Sequence, residues 1–205
     1  MAPEIVSGTE GYADEAAALF REYEAIRFAD VHRLVSHLFP PAPARVLDIG
    51  AGTGRDAAAF AALGYRVTAA EPTTALRDGA KKLHRAPQID WIDDSLPDLA
   101  TVVQSGDQFQ LVMMTAVWMH LDAAQRQRAM PVVAGLMAAG GTMVMTQRHG
   151  PVPPGRRMFG VAAAETVALA QGEDLVCVLR LEHQPSIRRP GVRWDRLAFT
   201  KPSRR

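Results

Sequence analysis

Between residues 24 and 38 the apolar side chains Phe28, Val31, Leu34, Val35 and Leu38 recur at three- and four-residue steps, the spacing of one helix face. The run Phe39-Pro40-Pro41-Ala42-Pro43 stops that helix. From there short apolar blocks alternate with amphipathic ones. Residues 45–49, 65–70, 89–93, 109–115 and 142–147 read as strands, and 55–63 and 73–84 as helices. Residues 97–104 are short helix or irregular chain. Asp122 with Gln125 forms a capping-box pattern that opens a helix carrying Met130, Val133 and Met137, which Gly140-Gly141 should end. A further helix is expected at 157–171. Two closing strands, 174–187 and 192–200, flank Arg189-Pro190-Gly191 with no helix between them, so they should pair antiparallel. Five alternations of strand and helix predict an α/β fold with a parallel sheet covered on both faces. The nearly unbroken apolar run 109–115 suits a strand buried on both sides.

At 205 residues, 48% hydrophobic and 22% charged, the chain should form one domain, 1–205, and is neither disordered nor fibrous. Within it, 1–40 reads as an N-terminal helical cap and 41–205 as the core. A net charge of +1 lacks the footprint of a nucleic-acid or anionic-membrane binder. The balance hides an uneven spread: residues 86–125 carry six Asp and no Lys or Arg, and residues 176–205 carry eight basic residues against Glu182 and Asp195. Arg outnumbers Lys 20 to 3, which coding bias explains by default and carboxylate recognition explains more sharply. The N-terminal stretch lacks a basic start followed by an apolar block, and no apolar run approaches the ~18 residues of a membrane span. A soluble, cytoplasmic protein is expected. The lone Cys177 excludes an internal disulfide and a multi-cysteine metal site, and in its strand-like setting it is expected to be a buried, inert thiol.

The chemistry concentrates at Gly50-Ala51-Gly52-Thr53-Gly54, a turn that follows the first strand and opens a helix. Glycines there allow positive φ and close approach of a ligand to the backbone. Glu71 ends the second strand 21 residues after Gly50, the place of a carboxylate that accepts both hydroxyls of a ribose. An adenosine-like ligand is indicated. A dinucleotide site would place a third Gly or Ala at the sixth turn position, where Arg55 stands.

The stretch Val46-Leu-Asp-Ile-Gly-Ala-Gly-Thr-Gly54, with Glu71-Pro72 and Asp93-Asp94-Ser95-Leu96-Pro97, closely resembles the motifs of class I S-adenosylmethionine-dependent methyltransferases. The resemblance implies a Rossmann-like seven-stranded sheet of order 3-2-1-4-5-7-6, mostly parallel with the last strand antiparallel, and helices on both faces. It implies S-adenosylmethionine as cofactor and S-adenosylhomocysteine as product. By position, Gly50, Ala51, Gly52 and Gly54 would lie beneath the amino-acid portion of the cofactor, with Asp48 fixing the turn or meeting the ammonium through water. Glu71 would hold the ribose, Pro72 would lie against the adenine, and Asp94 or Asp93, with Ser95, would meet its edge. Thr115, Ala116 and Val117 would line the cofactor near its sulfonium, and Tyr23 and Arg27 would reach its carboxylate.

The acceptor pocket of that fold draws on the segments after the fourth and fifth strands. His149 and His120 are the candidate general bases, each with an imidazole that titrates near ~6.5 when unperturbed. Arg148, with Arg156 or Arg157, suits a carboxylate or phosphate, and Trp118 suits an aromatic acceptor. The fourth strand ends Met114-Thr115-Ala116-Val117, without the Asn/Asp-Pro-Pro-aromatic motif of nucleic-acid or glutamine amino methyltransferases. The paired glutamates of arginine methyltransferases, a Pro-Cys pair and an Asp-rich metal set are also missing from the sequence, and no metal is expected. Methyl transfer to O, N or S of a small molecule is the leading expectation. A nicotinamide-dependent oxidoreductase and a non-catalytic binding protein are the alternatives.

Overall fold

Seven strands form one sheet in the order β3-β2-β1-β4-β5-β7-β6. The computed structural model describes residues 6–186 and 189–203. Helices α1 (Ala16–Glu24) and α2 (Phe28–His32) and a 3-10 turn at Ser36–Leu38 precede the sheet. Then come β1 (Arg45–Ile49), α3 (Arg55–Ala62), β2 (Arg66–Ala70), α4 (Thr74–Leu83), β3 (Ile89–Ile92), α5 (Ala100–Gln104) and β4 (Phe109–Thr115). A 3-10 turn at Trp118–His120 leads to α6 (Ala123–Leu136), β5 (Met137–His149), α7 (Ala163–Gly172), β6 (Val176–Pro185) and β7 (Arg193–Thr200). β1 to β5 are parallel, and β7 runs antiparallel to both of its neighbours, as the closing hairpin requires.

Side-chain alternation along the strands builds two cores. One face gathers Val46, Val67, Leu111, Met113 and Val144 against Ala57 and Phe60 of α3. The other gathers Leu47, Val112, Met114, Met143, Met145 and Phe199 against Val102, Met130 and Val133. Cys177, expected to be buried, is only half-buried in the edge strand β6, where it packs against the second of these cores. Among the described residues, no helix is long and apolar enough to cross a membrane.

Three predicted elements differ. The stripe at 24–38 is not one helix: α1 ends at Glu24, and α2 starts afresh at Phe28. The break lets His32 turn fully inward to Asp56 while Phe28 stacks on His32 and Phe60 at 4.7 and 4.9 Å between ring centroids. The stripe still reaches apolar surroundings, with Val35 in the core and Val31 and Leu34 lining a cavity. Gly140-Gly141 does not end α6. It sits inside β5, where the register with β4 shifts between Phe109 and Leu111, and a Cβ on Gly141 would lie 3.0 Å from the Phe109 carbonyl oxygen. The helix expected at 157–171 is α7 alone, because residues 151–162 are held irregular by the contacts described below. Ile187, the predicted end of the first closing strand, lies outside the described residues.

Phe60 is fully buried and meets Phe28, Phe39 and Tyr65 edge-on. Phe60→Ala should cost about 3–5 kcal/mol in urea unfolding, and a loss below about 1 kcal/mol would show that this ring cluster is not the centre of its core.

Candidate functional site

In an open parallel sheet ligands lie beyond the carboxyl ends of the strands, at the point where strand order reverses. Here that point is between β1 and β4, and a cavity of about 880 Å³ opens there. Its floor is the turn after β1. The Gly50 and Ala51 amides both donate to the Ala70 carbonyl at 2.8 and 3.1 Å, which ties the turn to the end of β2. Gly50 has φ +68°, and a Cβ there would come within 2.6 Å of Val117 Cγ2, so only glycine fits between the turn and the wall after β4.

Glu71 is buried, and each of its carboxylate oxygens is held by a backbone N–H: Oε2 accepts from Gly52 and Oε1 from Thr73, both at 2.8 Å. Burial pushes its carboxyl up, and these two donors offset part of that. The Thr73 side chain also donates to this carboxylate, and Glu71 lines the cavity with the acceptor capacity that is left. The neighbouring Asp48 also lines it, with Oδ2 buried and without a hydrogen-bond partner. Burial, and then the Asp56 carboxylate, raise Asp48 well above the usual carboxylate range.

Asp56, which motif reading missed, organises the ground beneath. His32 Nε2 donates to its Oδ2 at 2.8 Å, Thr115 Oγ1 donates to the same oxygen at 3.0 Å, and Arg55 Nε donates to Oδ1 at 2.7 Å. Burial alone would raise its carboxyl, but the His32 and Arg55 contacts overcome burial and hold it below the usual range.

The two candidate acids after β3 are placed differently. Asp94 lines the cavity, its Oδ1 and Oδ2 accepting from the Ser95 and Val102 amides at 2.9 Å each. Asp93 is exposed and turned outward to the Arg77 guanidinium at 2.8 Å. Pro72, Ser95, Thr115, Ala116, Val117 and Tyr23 all line the cavity, together with Gly50, Ala51 and Gly52. Gly54 does not. It is the N-cap of α3, with φ +86°, packed where a Cβ would strike Trp91 at 2.5 Å. Arg27 also lies elsewhere, exposed at the start of α2 and 3.8 Å from Asp30.

A roof of residues distant in sequence covers the cavity. His120 Nδ1 lies 2.8 Å from the Arg157 carbonyl oxygen, which can only accept, so Nδ1 carries the proton. Nε2 is therefore an acceptor in the neutral ring and takes the Tyr12 hydroxyl at 3.0 Å. Arg156 stacks over the Tyr12 ring at 3.9 Å and donates to the Glu10 carbonyl and the Glu15 carboxylate. Arg157 reaches Ser7, Gln125 and Asp122, the last being the N-cap of the predicted capping box, which is fully formed. Both arginines thus bind the protein's own N-terminal segment and the start of α6. Tyr12 had no sequence signal, since it meets His120 across 108 residues.

At the β5 end, strand alternation separates two neighbours that the sequence grouped together. Arg148 pairs with Trp194 and Thr146 with Arg196 across the β5–β7 ladder, and all four line the cavity. His149 points to the opposite face, where its Nε2 lies 2.8 Å from Asp195 Oδ2. His149, Asp195 and His183 form the one His/Cys/Asp/Glu group among the described residues whose ligand atoms all lie within 4.8 Å. That group sits behind the sheet, and Asp195 Oδ1 already accepts from the His183 amide at 2.7 Å. Trp118 is fully buried in the core and does not face the cavity.

Residues 46–141 match the family model of a methyltransferase domain. No curated protein matches by sequence. Among solved structures, a methyltransferase from Methanosarcina mazei is 14% identical with a TM-score of 0.70, over 83% of this chain and 98% of that one. A TehB-like methyltransferase from Corynebacterium glutamicum is 21% identical with a TM-score of 0.67, over 93% and 98%. The 1,6-didemethyltoxoflavin-N1-methyltransferase of Burkholderia thailandensis, solved with 1,6-didemethyltoxoflavin and S-adenosylhomocysteine, is 18% identical with a TM-score of 0.69, over 99% and 93%. At these identities the likeness is one of fold.

Burial lowers the His120 imidazole below its ordinary value, against the opposing pull of the Arg157 carbonyl. The unfolded chain therefore binds the extra proton first, and stability should rise with pH in this range. The contribution is complete above about pH 6.5 and is lost as pH falls toward the folded value. The stability gap between wild type and His120→Gln in urea melts should narrow from pH 7.5 to pH 5.5. A gap that stays constant or widens would contradict the neutral, buried assignment.

Proposed function

We propose that the chain is a class I S-adenosylmethionine-dependent methyltransferase that transfers a methyl group from that cofactor to a small-molecule acceptor held in the same cavity, a reading supported by the methyltransferase-domain match over residues 46–141 and by the shared fold. The observation that carries this reading is the pairing of Glu71, pinned by two backbone amides, with Asp48, whose buried Oδ2 lacks a partner, at the two ends of the Gly50–Gly52 turn. The residues fit the cofactor's chemistry. Asp48 offers the unmet acceptor that an ammonium group needs, and Glu71 keeps acceptor capacity for a ribose diol. Pro72, Asp94 and Ser95 supply a flat apolar contact and polar edge for a purine. Arg55, at the position that a dinucleotide site gives to Gly or Ala, is committed to Asp56 and supports this cofactor over a nicotinamide one.

When bound, S-adenosylmethionine supplies an activated methyl group on a sulfonium centre. What remains for the protein is alignment, exclusion of water and, for some acceptors, removal of a proton. The roof from Gly8 to Tyr12 serves exclusion: Gly8 packs so closely on His120 that a Cβ would lie 3.1 Å from the His120 Cβ. Tyr12 and His120 serve the proton. Tyr12 is held un-ionised, since burial raises its phenol, so it acts as a relay. It accepts a proton from the acceptor's hydroxyl or amine while passing its own to His120 Nε2, and the Arg157 carbonyl steadies the imidazolium through Nδ1–H. Residues 6–39 act as a cap on the sheet. A cavity of about 880 Å³ under such a cap supports a metabolite-sized acceptor, since ligand sites run to about 300–1,000 Å³.

Titration calorimetry with S-adenosylhomocysteine should show binding to wild type, weakened about tenfold or more in Glu71→Ala and Gly52→Val, which corresponds to at least ~1.4 kcal/mol. Wild-type protein that binds NADH and not S-adenosylhomocysteine, or variants that bind as wild type does, would overturn the reading.

A further inference from the structure

Carboxylates pair with arginines throughout the molecule: Arg45, Arg55, Arg77, Arg126 and Arg156 each meet one. Arg66 and Arg193, which have no carboxylate partner among the described residues, stand exposed, where water solvates them. Arg148 and Arg196 break this pattern. Both are half-buried, both line the cavity, and each has an Nε that is sequestered from solvent and without a hydrogen-bond partner. Arg33, exposed at the cavity rim after α2, also has no carboxylate partner among the described residues.

The fold puts these cations together by construction. Arg148 and Arg196 lie on the same face of adjacent strands, two residues apart in the ladder, because Thr146 pairs with Arg196. Trp194, opposite Arg148, and Gln184, opposite Trp194 on β6, extend the same lining. This wall stands three strand positions (β5) to four (β7) from β2 and Glu71, about 14–19 Å across at the usual strand spacing. Burial, and then the charge of Arg189, disfavour the ionised form of Arg148; burial, and then Arg33, do the same for Arg196. Arg189 itself is engaged by Glu22. A half-buried pair of guanidinium groups with no anion costs stability, and the forked donors of arginine match a carboxylate or phosphate.

We infer that the methyl acceptor carries an anionic group, a carboxylate or a phosphate, which binds against Arg148, Arg196 and Arg33 while its body lies along Trp194. The inference rests on the proposed function, because it places the acceptor in the cavity that also takes the cofactor.

The test uses protein saturated with S-adenosylhomocysteine and three probes: benzoate, phenyl phosphate and the neutral benzamide. At least one anion should bind about tenfold or more tightly than benzamide, and that preference should fall about tenfold in Arg148→Gln and in Arg196→Gln. Which anion binds identifies the group. S-adenosylhomocysteine affinity should stay within about twofold of wild type in both variants, and their melting temperatures should hold or rise as like-charge repulsion is relieved. Equal binding of all three probes, no binding of either anion, or an anion preference unchanged in both variants would overturn the inference. If S-adenosylhomocysteine fails to bind wild type, the methyltransferase reading fails. The same probes titrated against the unloaded protein then judge the anion site by the same criteria.

Discussion

The buried carboxylate of Asp56 joins three parts of the molecule that the chain does not connect directly. Through His32 it fixes α2, through Arg55 the first turn of α3, and through Thr115 the end of β4. Removing one partner of such a buried, charge-assisted network leaves an unpaired group in a low-dielectric setting, a loss of about 3–5 kcal/mol in comparable cases. The same anion bears on the cavity floor, because its charge adds to burial in keeping Asp48 toward its neutral form. A cationic group next to Asp48 would reverse that balance. The fold and the cavity floor are thus coupled through two aspartates eight positions apart.

A second constraint is the period of two along β5 and β7. Consecutive residues of a strand face opposite sides, so Arg148 enters the cavity and His149 cannot. His149 instead meets Asp195, the residue that follows Trp194 on the other strand and shares its parity. In the proposed reaction the proton-handling role therefore goes to the His120 end of the cavity, where Tyr12 lies 3.0 Å from the imidazole Nε2. The roof that delivers Tyr12 is fastened by Arg156 and Arg157, both drawn from the irregular segment after β5.

Much of this could be read locally. The strand–turn–helix around Gly50, the carboxylate at Glu71 and the capping box at Asp122 are set by interactions within a few residues or one βαβ unit, and they stand where the pattern placed them. The break in the 24–38 helix was hidden because the inward placement of His32 that accompanies it depends on Asp56, 24 residues away. Gly140-Gly141 mimics a helix stop, and only the β4 register shows it to be a bulge. Grouping Arg148 with His149 treated the strand as ended at residue 147; β5 continues to His149, and the alternation continues with it. Arg156 and Arg157 read as a solvated helix start because their partners are remote in the chain: Glu15 lies 141 residues before Arg156, and Ser7 and Asp122 lie 150 and 35 residues before Arg157.

In the proposed reading one cavity, floored by Gly50–Gly52 and flanked by Glu71 and Asp48, holds the cofactor. A crystal structure of the protein with S-adenosylhomocysteine tests it most directly. Density for the nucleoside is expected in that cavity, with its ribose hydroxyls at the Glu71 carboxylate and the ligand's amino group facing Asp48. Density for the ligand at any other site, or in the cavity with the ribose away from Glu71, would contradict it.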